Sequence, residues 1–401
     1  MSDPSRVRVS GPLASYVEGF RRELGGRGYC SNTVARHLQL MGHLSRWLAG
    51  QGVDGSALTP VVVDAYFTQR RAAGYASHRT GRALEPLLGH LRDRNVVPTP
   101  VPPRVTGAVE VVLARFVGYL AGERGLAEST IQGHVRQVRL FLEAGDVGGL
   151  ERLSAGDVTA YVLARCRDNR GGTAVRMVTA LRSLLRFLHV EGLVDQPLVQ
   201  AVPSVAAWKL AGLPKALDSA QVVALLESCD QGTVVGRRDY AILVLLARLG
   251  LRAGEVASLS LDDVDWRRGE ITVRGKGNRC ERLPLPADVG QAIVSYLDAG
   301  RPSTTATGRE VFTRVRAPHQ ALTRGAVTQA VARAAQRAGL GRVFAHRLRH
   351  TAATGILRGG GSLAEIGQLL RHHRALTTVI YAKVDIDALR ALARPWLGGV
   401  A

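Results

Sequence analysis

Residues 346–351 read HRLRHT. His346 and Arg349 stand three apart, so a helix places both on one face, where they can grip an oxyanion. The helix they begin stops at Gly359-Gly360-Gly361, and Ser362-Leu363-Ala364-Glu365 is a capping box that opens the next one. That second helix leads into Arg371-His372-His373, and Tyr381 follows His372 by nine residues in TTVIYAKV (377–384). Upstream, GEITVRGKGNRCERLPLP (269–286) reads as a β-hairpin: Ile271 and Val273 alternate, GKGN turns, and Leu283 and Leu285 alternate on the return, with Lys276 at the tip. Further upstream, RDYAILVLLARLG (238–250) is a buried apolar helix stopped by Gly250, and Arg252 follows in GLRAGEV; a shorter capped helix starts at Asp218.

These residue types suit one reaction. Two arginines can clamp the non-bridging oxygens of a phosphate and neutralise charge that grows in a pentacoordinate transition state. A tyrosine hydroxyl can attack phosphorus in line and keep the bond energy in a phosphotyrosine. A lysine on a hairpin tip can protonate the leaving 5′ oxygen, and histidines can accept the nucleophile's proton or donate to phosphate. Glu255, one turn beyond Arg252, is read as the partner that orients an arginine. Arg347, His350 and Arg371 are equally read as contacts to a DNA backbone or as surface charge. The acidic group Asp262, Asp263 and Asp265 lies between a helix and the hairpin, with no distant acidic partner evident, and is read as turn and capping chemistry rather than as a metal site. No metal and no cofactor is expected.

The chain before this region repeats itself. RGYCSNTVARHL (27–38) matches RGLAESTIQGHV (124–135) at an offset of 97, LTPVVVDAY (58–66) matches LSAGDVTAY (153–161) at 95, and RALEPLLGHL (82–91) matches TALRSLLRFL (179–188) at 97. Three blocks in common order indicate two copies of one helical unit. Asn32 and Ser129 are the expected N-caps of the first block, and Leu181, Leu184, Leu185 and Leu188 form an apolar stripe in the third. The proline-rich VPTPVPP (97–103) separates the copies, and a second break spans residues 197–214.

Composition sets the class. The 401 residues carry 53 Lys+Arg against 33 Asp+Glu, a net +20, and the pI is near 10.9. With 46% hydrophobic residues the chain can bury real cores, and an excess of cations on a foldable chain selects polyanionic partners, nucleic acid above all. The charge is uneven: 14 basic and 7 acidic side chains in residues 1–105, 12 and 10 in 106–213, and 27 and 16 in 214–401. No apolar run approaches the ~20 residues of a membrane span, and no apolar leader opens the chain, so a cytoplasmic, nucleoid-associated protein without membrane contact is expected. Cys30, Cys166, Cys229 and Cys280 are scattered, which opposes both a disulfide framework and a zinc site.

Arg252, Lys276, His346-x-x-Arg349, His372 and Tyr381 resemble, in order and spacing, the active-site set of the tyrosine recombinase (phage integrase) family, whose chemistry is similar to that of type IB topoisomerases. The match covers about residues 214–395. The resemblance implies that Arg252 and Arg349 bind the scissile phosphate, Lys276 is the general acid, His346 assists as base, His372 hydrogen-bonds the phosphate and Tyr381 is the nucleophile. His373 is the alternative to His372. The implied fold class is multidomain and mainly α: a core-binding-like helical unit over 1–97, a linker over 98–105, a helical core-binding (SAM-like) domain over 106–205, a linker over 206–213, and a mixed α/β catalytic domain with a small β-hairpin sheet over 214–401. The implied activity is site-specific recombination, integration or transposition through a 3′-phosphotyrosine and a Holliday junction. Its partners are double-stranded DNA, a homo-tetramer on that DNA in which residues 388–396 pack on a neighbour, and helper recombinases. The alternatives are a non-cleaving DNA-binding accessory protein of the same fold and a relaxing topoisomerase. The extra N-terminal unit departs from the family's usual arm-binding domain and favours a transposon-borne member.

Overall fold

The computed structural model describes residues 3–78, 80–99, 106–145, 147–168, 172–205, 216–275, 279–302, 308–371 and 375–384. Lys276, His372, His373, most of both expected linkers and the C-terminal residues 388–396 lie outside these. The chain divides into two compact units, residues 101–211 and residues 1–100 with 212–401.

Among the described residues of 1–100 are the α-helices α1 (Val17–Gly26), α2 (Ser31–Gly50), α3 (Pro60–Ala72) and α4 (Glu85–Arg92). Their apolar faces meet in a core of Phe20, Leu38, Met41, Leu44, Phe67 and Leu91. Among the described residues of the 101–211 unit are α5 (Ala108–Gly122), α6 (Glu128–Ala144), α7 (Ala155–Asp168) and α8 (Gly172–Val190). They close around Phe116, Leu142, Leu184, Phe187 and Leu188. The repeated blocks fall on corresponding helices, α2 with α6, α3 with α7 and α4 with α8. The N-caps differ from expectation: Cys30 and Ala127 precede the two helices, and Asn32 and Ser129 sit inside the first turn. Neither Cys30 nor Ala127 supplies a side-chain cap, so the extended backbone at that position, rather than a polar side chain, starts these helices.

Residues 212–401 carry the third core. α9 (Ser219–Glu227) opens on a capping box between Asp218 and Gln221, and α10 (Val234–Arg248) on Thr233, whose hydroxyl accepts from the Gly236 N–H at 3.0 Å. The stretch Ala241 to Leu246 of α10 is apolar on every side and wholly buried, as a helical stretch without a polar face must be. Past α11 (Ala253–Ala257) come β1 (Val264–Asp265), β2 (Glu270–Arg274) and β3 (Cys280–Pro284), an antiparallel sheet in that order. Ile271 stands opposite Leu283 and Val273 opposite Glu281; Ile271, Val273 and Leu283 turn into the core. Then follow α12 (Ala287–Ala299), α13 (Arg324–Arg337), α14 (Ala345–Arg358), α15 (Leu363–Leu369) and α16 (Ala375–Thr378). Ser362 and Glu365 cap α15 reciprocally. Among the described residues no helix is long and apolar enough to cross a membrane.

Candidate active site

Gly250 shapes the first wall of the site. It takes φ +57, the left-handed conformation that a glycine adopts without strain, and turns the chain from α10 into α11. A Cβ there would lie 2.8 Å from Leu370 Cδ2 and 3.4 Å from Ala352 Cβ, so α14 and the end of α15 pack directly on the turn. Arg252, two residues on, is the N-cap of α11 and keeps nearly half of its side chain exposed. Glu255 holds it from below: its carboxylate accepts from the Arg252 N–H at 2.8 Å and from Arg252 Nη1 at 2.6 Å. The same carboxylate accepts from Arg371 Nη2 at 2.7 Å. Burial drives the Glu255 pKa up, but the Arg252 N–H and the two guanidiniums outweigh it, and the carboxyl stays below its ordinary range.

Arg371 is therefore neither a surface charge nor placed to touch a DNA backbone. It is buried, sits at φ +53, and spends one guanidinium nitrogen on Glu255 and another on the Leu369 carbonyl, 3.0 Å away. Its partner lies 116 residues earlier in the chain, which local sequence cannot reveal.

α14 brings the second wall. Arg349 is only 2% exposed; Nη1 donates to the Gly250 carbonyl at 2.5 Å and Nη2 to the Leu370 carbonyl. Burial, followed by Arg252 and Arg371, pulls its pKa down to about 10. It remains charged at neutral pH, but as a cation short of counter-charge, and an incoming phosphate relieves that deficit. His346 opens onto the same cavity. Partial enclosure, then Arg349 and Arg252, hold its pKa below the ordinary imidazole range, which leaves a neutral ring able to accept a proton. Arg252, His346 and Arg349, with Arg274 and Arg324, line one cavity of about 580 Å³ in which Glu255 is the sole carboxylate among the described residues. Arg274 ends β2, bonded to Asp263 at 2.8 Å, and Arg324 begins α13; neither was among the sequence candidates.

Tyr381 packs against α14. It is 2% exposed, within a small core of Ala353, Ile366 and Leu370. Its hydroxyl lies 2.7 Å from His350 Nδ1, and the His350 ring sits edge-on to that of His346, 4.3 Å between centroids. Burial lifts the Tyr381 pKa to about 12 despite Arg349, while burial, His346 and Arg349 push that of His350 down to about 4. The tyrosine thus carries its proton and the histidine is neutral. His350, a surface or backbone-contact residue on sequence alone, meets Tyr381 31 residues on; the i, i+4 spacing in HRLRHT signals only that it shares a helix face with His346.

The acidic group is accounted for locally. Asp262 pairs with Arg309, Asp263 accepts from Arg274 and the Ser260 N–H, and Asp265 accepts from the Arg267 and Arg268 N–H groups. Among the described residues no group of three His, Cys, Asp or Glu is arranged to hold a metal ion.

The Phage integrase family model matches residues 215–387, and the model of the Phage integrase N-terminal SAM-like domain matches residues 113–192. The y4rA protein of Sinorhizobium fredii, named as an integrase/recombinase, is 38% identical over 97% of this chain and 95% of its own length. The chain belongs to the phage integrase family of tyrosine recombinases. Tyrosine recombinase XerD of Mycobacterium tuberculosis is 33% identical over 71% of this recombinase and 96% of its own length. More than a quarter of this recombinase therefore has no counterpart in XerD. The fold is also that of the XerH site-specific recombinase in its post-cleavage complex with a palindromic difH substrate, at a TM-score of 0.59 and 18% identity over 74% of this recombinase and 99% of XerH. Membership makes the protein a DNA breaking-and-rejoining enzyme, of mainly helical fold with one small antiparallel sheet.

Proposed function

We propose that this recombinase cuts duplex DNA through a 3′-phosphotyrosine on Tyr381 and exchanges strands by way of a Holliday junction. Arg252 and Arg349 hold the non-bridging oxygens of the scissile phosphate. The Tyr381 oxygen attacks phosphorus, the bond to the 5′ oxygen breaks, and Lys276 gives that oxygen a proton. His346 assists in taking up the tyrosine's proton, and His372 donates a hydrogen bond to the phosphate. A 5′-hydroxyl of the partner strand then attacks the phosphotyrosine, which reseals the backbone and frees Tyr381. The helical units at 1–97 and 106–205 grip the duplex; XerH, of similar fold, is bound to its difH substrate. Four copies assemble on two duplexes, with helper recombinases where the target demands them.

The observation that carries this reading is the shared cavity of Arg252, His346 and Arg349, with the Tyr381 hydroxyl 2.7 Å from His350 on the helix that carries His346 and Arg349. Tyr381→Phe tests it on a nicked suicide substrate. DNA affinity should persist while the covalent adduct disappears; an adduct formed by the Phe variant would refute the assignment. Relaxation of a supercoiled plasmid that carries no dedicated site would instead point to a topoisomerase.

A further inference from the structure

The N-terminal residues hold a second cationic cavity, of about 470 Å³, between α2, α3 and the turn after α3. Arg36 and His43 of α2, Arg70 of α3, and Tyr75, Ser77 and His78 of the turn line it. Arg70 is only 8% exposed, yet among the described residues no carboxylate pairs with it. Its guanidinium lies 4.0 Å over the Tyr75 ring, Nη1 reaches the Tyr66 hydroxyl at 3.4 Å, and Nε has no partner. A buried guanidinium without a counter-ion is costly, and a π-face offsets only part of that cost. The other charges compound it: Arg46 and Arg70 act on His43, and Arg70 and Arg36 on His78, none of them acidic. His78 is held at φ +52, a conformation uncommon for a side-chain-bearing residue.

The repeat isolates what is particular to this cavity. Tyr66 and Arg70 recur as Tyr161 and Arg165 at the offset of 95, so that pair belongs to the shared helical frame. Arg36 and His43, at the offset of 97, correspond to Gly133 and Leu140. The second copy has lost or never had the α2 cations, in line with its near-neutral balance.

We propose that residues 1–100 bind a backbone phosphodiester of duplex DNA in the cavity of Arg36, His43, Arg70 and His78. The phosphate supplies the counter-charge that Arg70 lacks. The contact reads no base, so it adds affinity and salt dependence without sequence preference. This rests on the recombinase reading of the whole chain, and the experiment separates the two.

The full chain is titrated with a labelled random-sequence duplex over a range of salt, comparing wild type with Arg36→Ala, Arg70→Gln and, as a control outside the cavity, Arg22→Ala. Arg36 is exposed on α2, so its variant does not threaten the fold; circular dichroism checks Arg70→Gln. The cavity variants should bind roughly three- to tenfold more weakly, with a slope of log K against log salt shallower by about 0.9 for the phosphate lost. Arg22→Ala should match wild type. Unchanged slopes in both cavity variants, or an equal loss in Arg22→Ala, would overturn the proposal. Histidine NMR gives a second arm: the His43 and His78 ring signals should move on adding duplex. Movement with inorganic phosphate alone would make this a free-anion site and also overturn it. In parallel, the suicide-substrate adduct at saturating DNA should form in every variant. Its absence in wild type would sink the recombinase reading rather than the cavity.

Discussion

Glu255→Ala should both unfold the catalytic region more easily and abolish cleavage. The carboxylate is 4% exposed and accepts three hydrogen bonds, two from Arg252 and one from Arg371, all between 2.6 and 2.8 Å. Arg252 can turn its half-exposed head to water when the carboxylate is gone. Arg371, 2% exposed at its side chain, cannot, and it keeps a buried charge whose Nε already lacks a partner. Removing one member of such a pair costs about 3–5 kcal/mol. In a region of this size each kcal/mol is worth roughly 2–4 °C, so the transition should fall by roughly 6–20 °C in calorimetry. Glu255→Gln should lie between, since an amide oxygen can still accept but brings no charge. The pH dependence has a definite sign. The folded pKa of Glu255 is lowered, so its stabilising effect is complete above the ordinary carboxyl range and is lost as pH falls through the folded value. The acid limb of the wild-type stability curve should therefore be shallower in Glu255→Gln. A fall of less than 2 °C in Glu255→Ala, or an unaltered acid limb in Glu255→Gln, would refute the reasoning that this carboxylate compensates two cations.

Further outcomes follow from the same geometry. Gly250→Ala should cost about 1–2 kcal/mol from its φ of +57 alone, with more from the 2.8 Å contact to Leu370, and adduct yield should fall as Arg349 loses its carbonyl anchor; thermal melts and the suicide substrate read both. His350→Ala should slow adduct formation at least tenfold while leaving duplex affinity unchanged, because its ring touches Tyr381, the proposed nucleophile, and does not line the cavity of Arg252 and Arg349. The folded pKa of His350, about 4, lies below the unfolded imidazole value, so wild-type stability from this group is complete above about pH 6.5 and declines as pH falls toward 4. His350→Ala should remove that decline in pH-dependent melts, and an identical acid profile in the two proteins would contradict it.

What could be read without the structure was mostly local. Arg252, His346 and Arg349, which the fold brings to one cavity, stand in short motifs with a mechanical cause, a glycine turn before Arg252 and a helical i, i+3 pair, and a capping box leads toward Tyr381. The β2–β3 hairpin was legible from alternation, whereas β1, two residues long, offers no alternation to detect and was read only as a turn. Arg371 and Arg274 were missed or misplaced because what defines them, a carboxylate 116 residues away and the wall of a cavity, is a property of the packed chain. His350 is different: the i, i+4 spacing was there, but the tyrosine it serves lies 31 residues on, and only the fold of α15 and α16 brings it back.

The tie from Glu255 to both Arg252 and Arg371 also bears on how such enzymes can be recombined with one another. A chimera that joins the first half of this catalytic region to the second half of a relative inherits the carboxylate from one parent and its buried cation from the other. Unless the relative places an arginine at the position of Arg371, the graft carries an orphaned charge into its core, whatever becomes of the six proposed site residues. Breakpoints for engineered hybrids therefore belong before residue 252 or beyond residue 371, so that the clasp travels as one heritable piece.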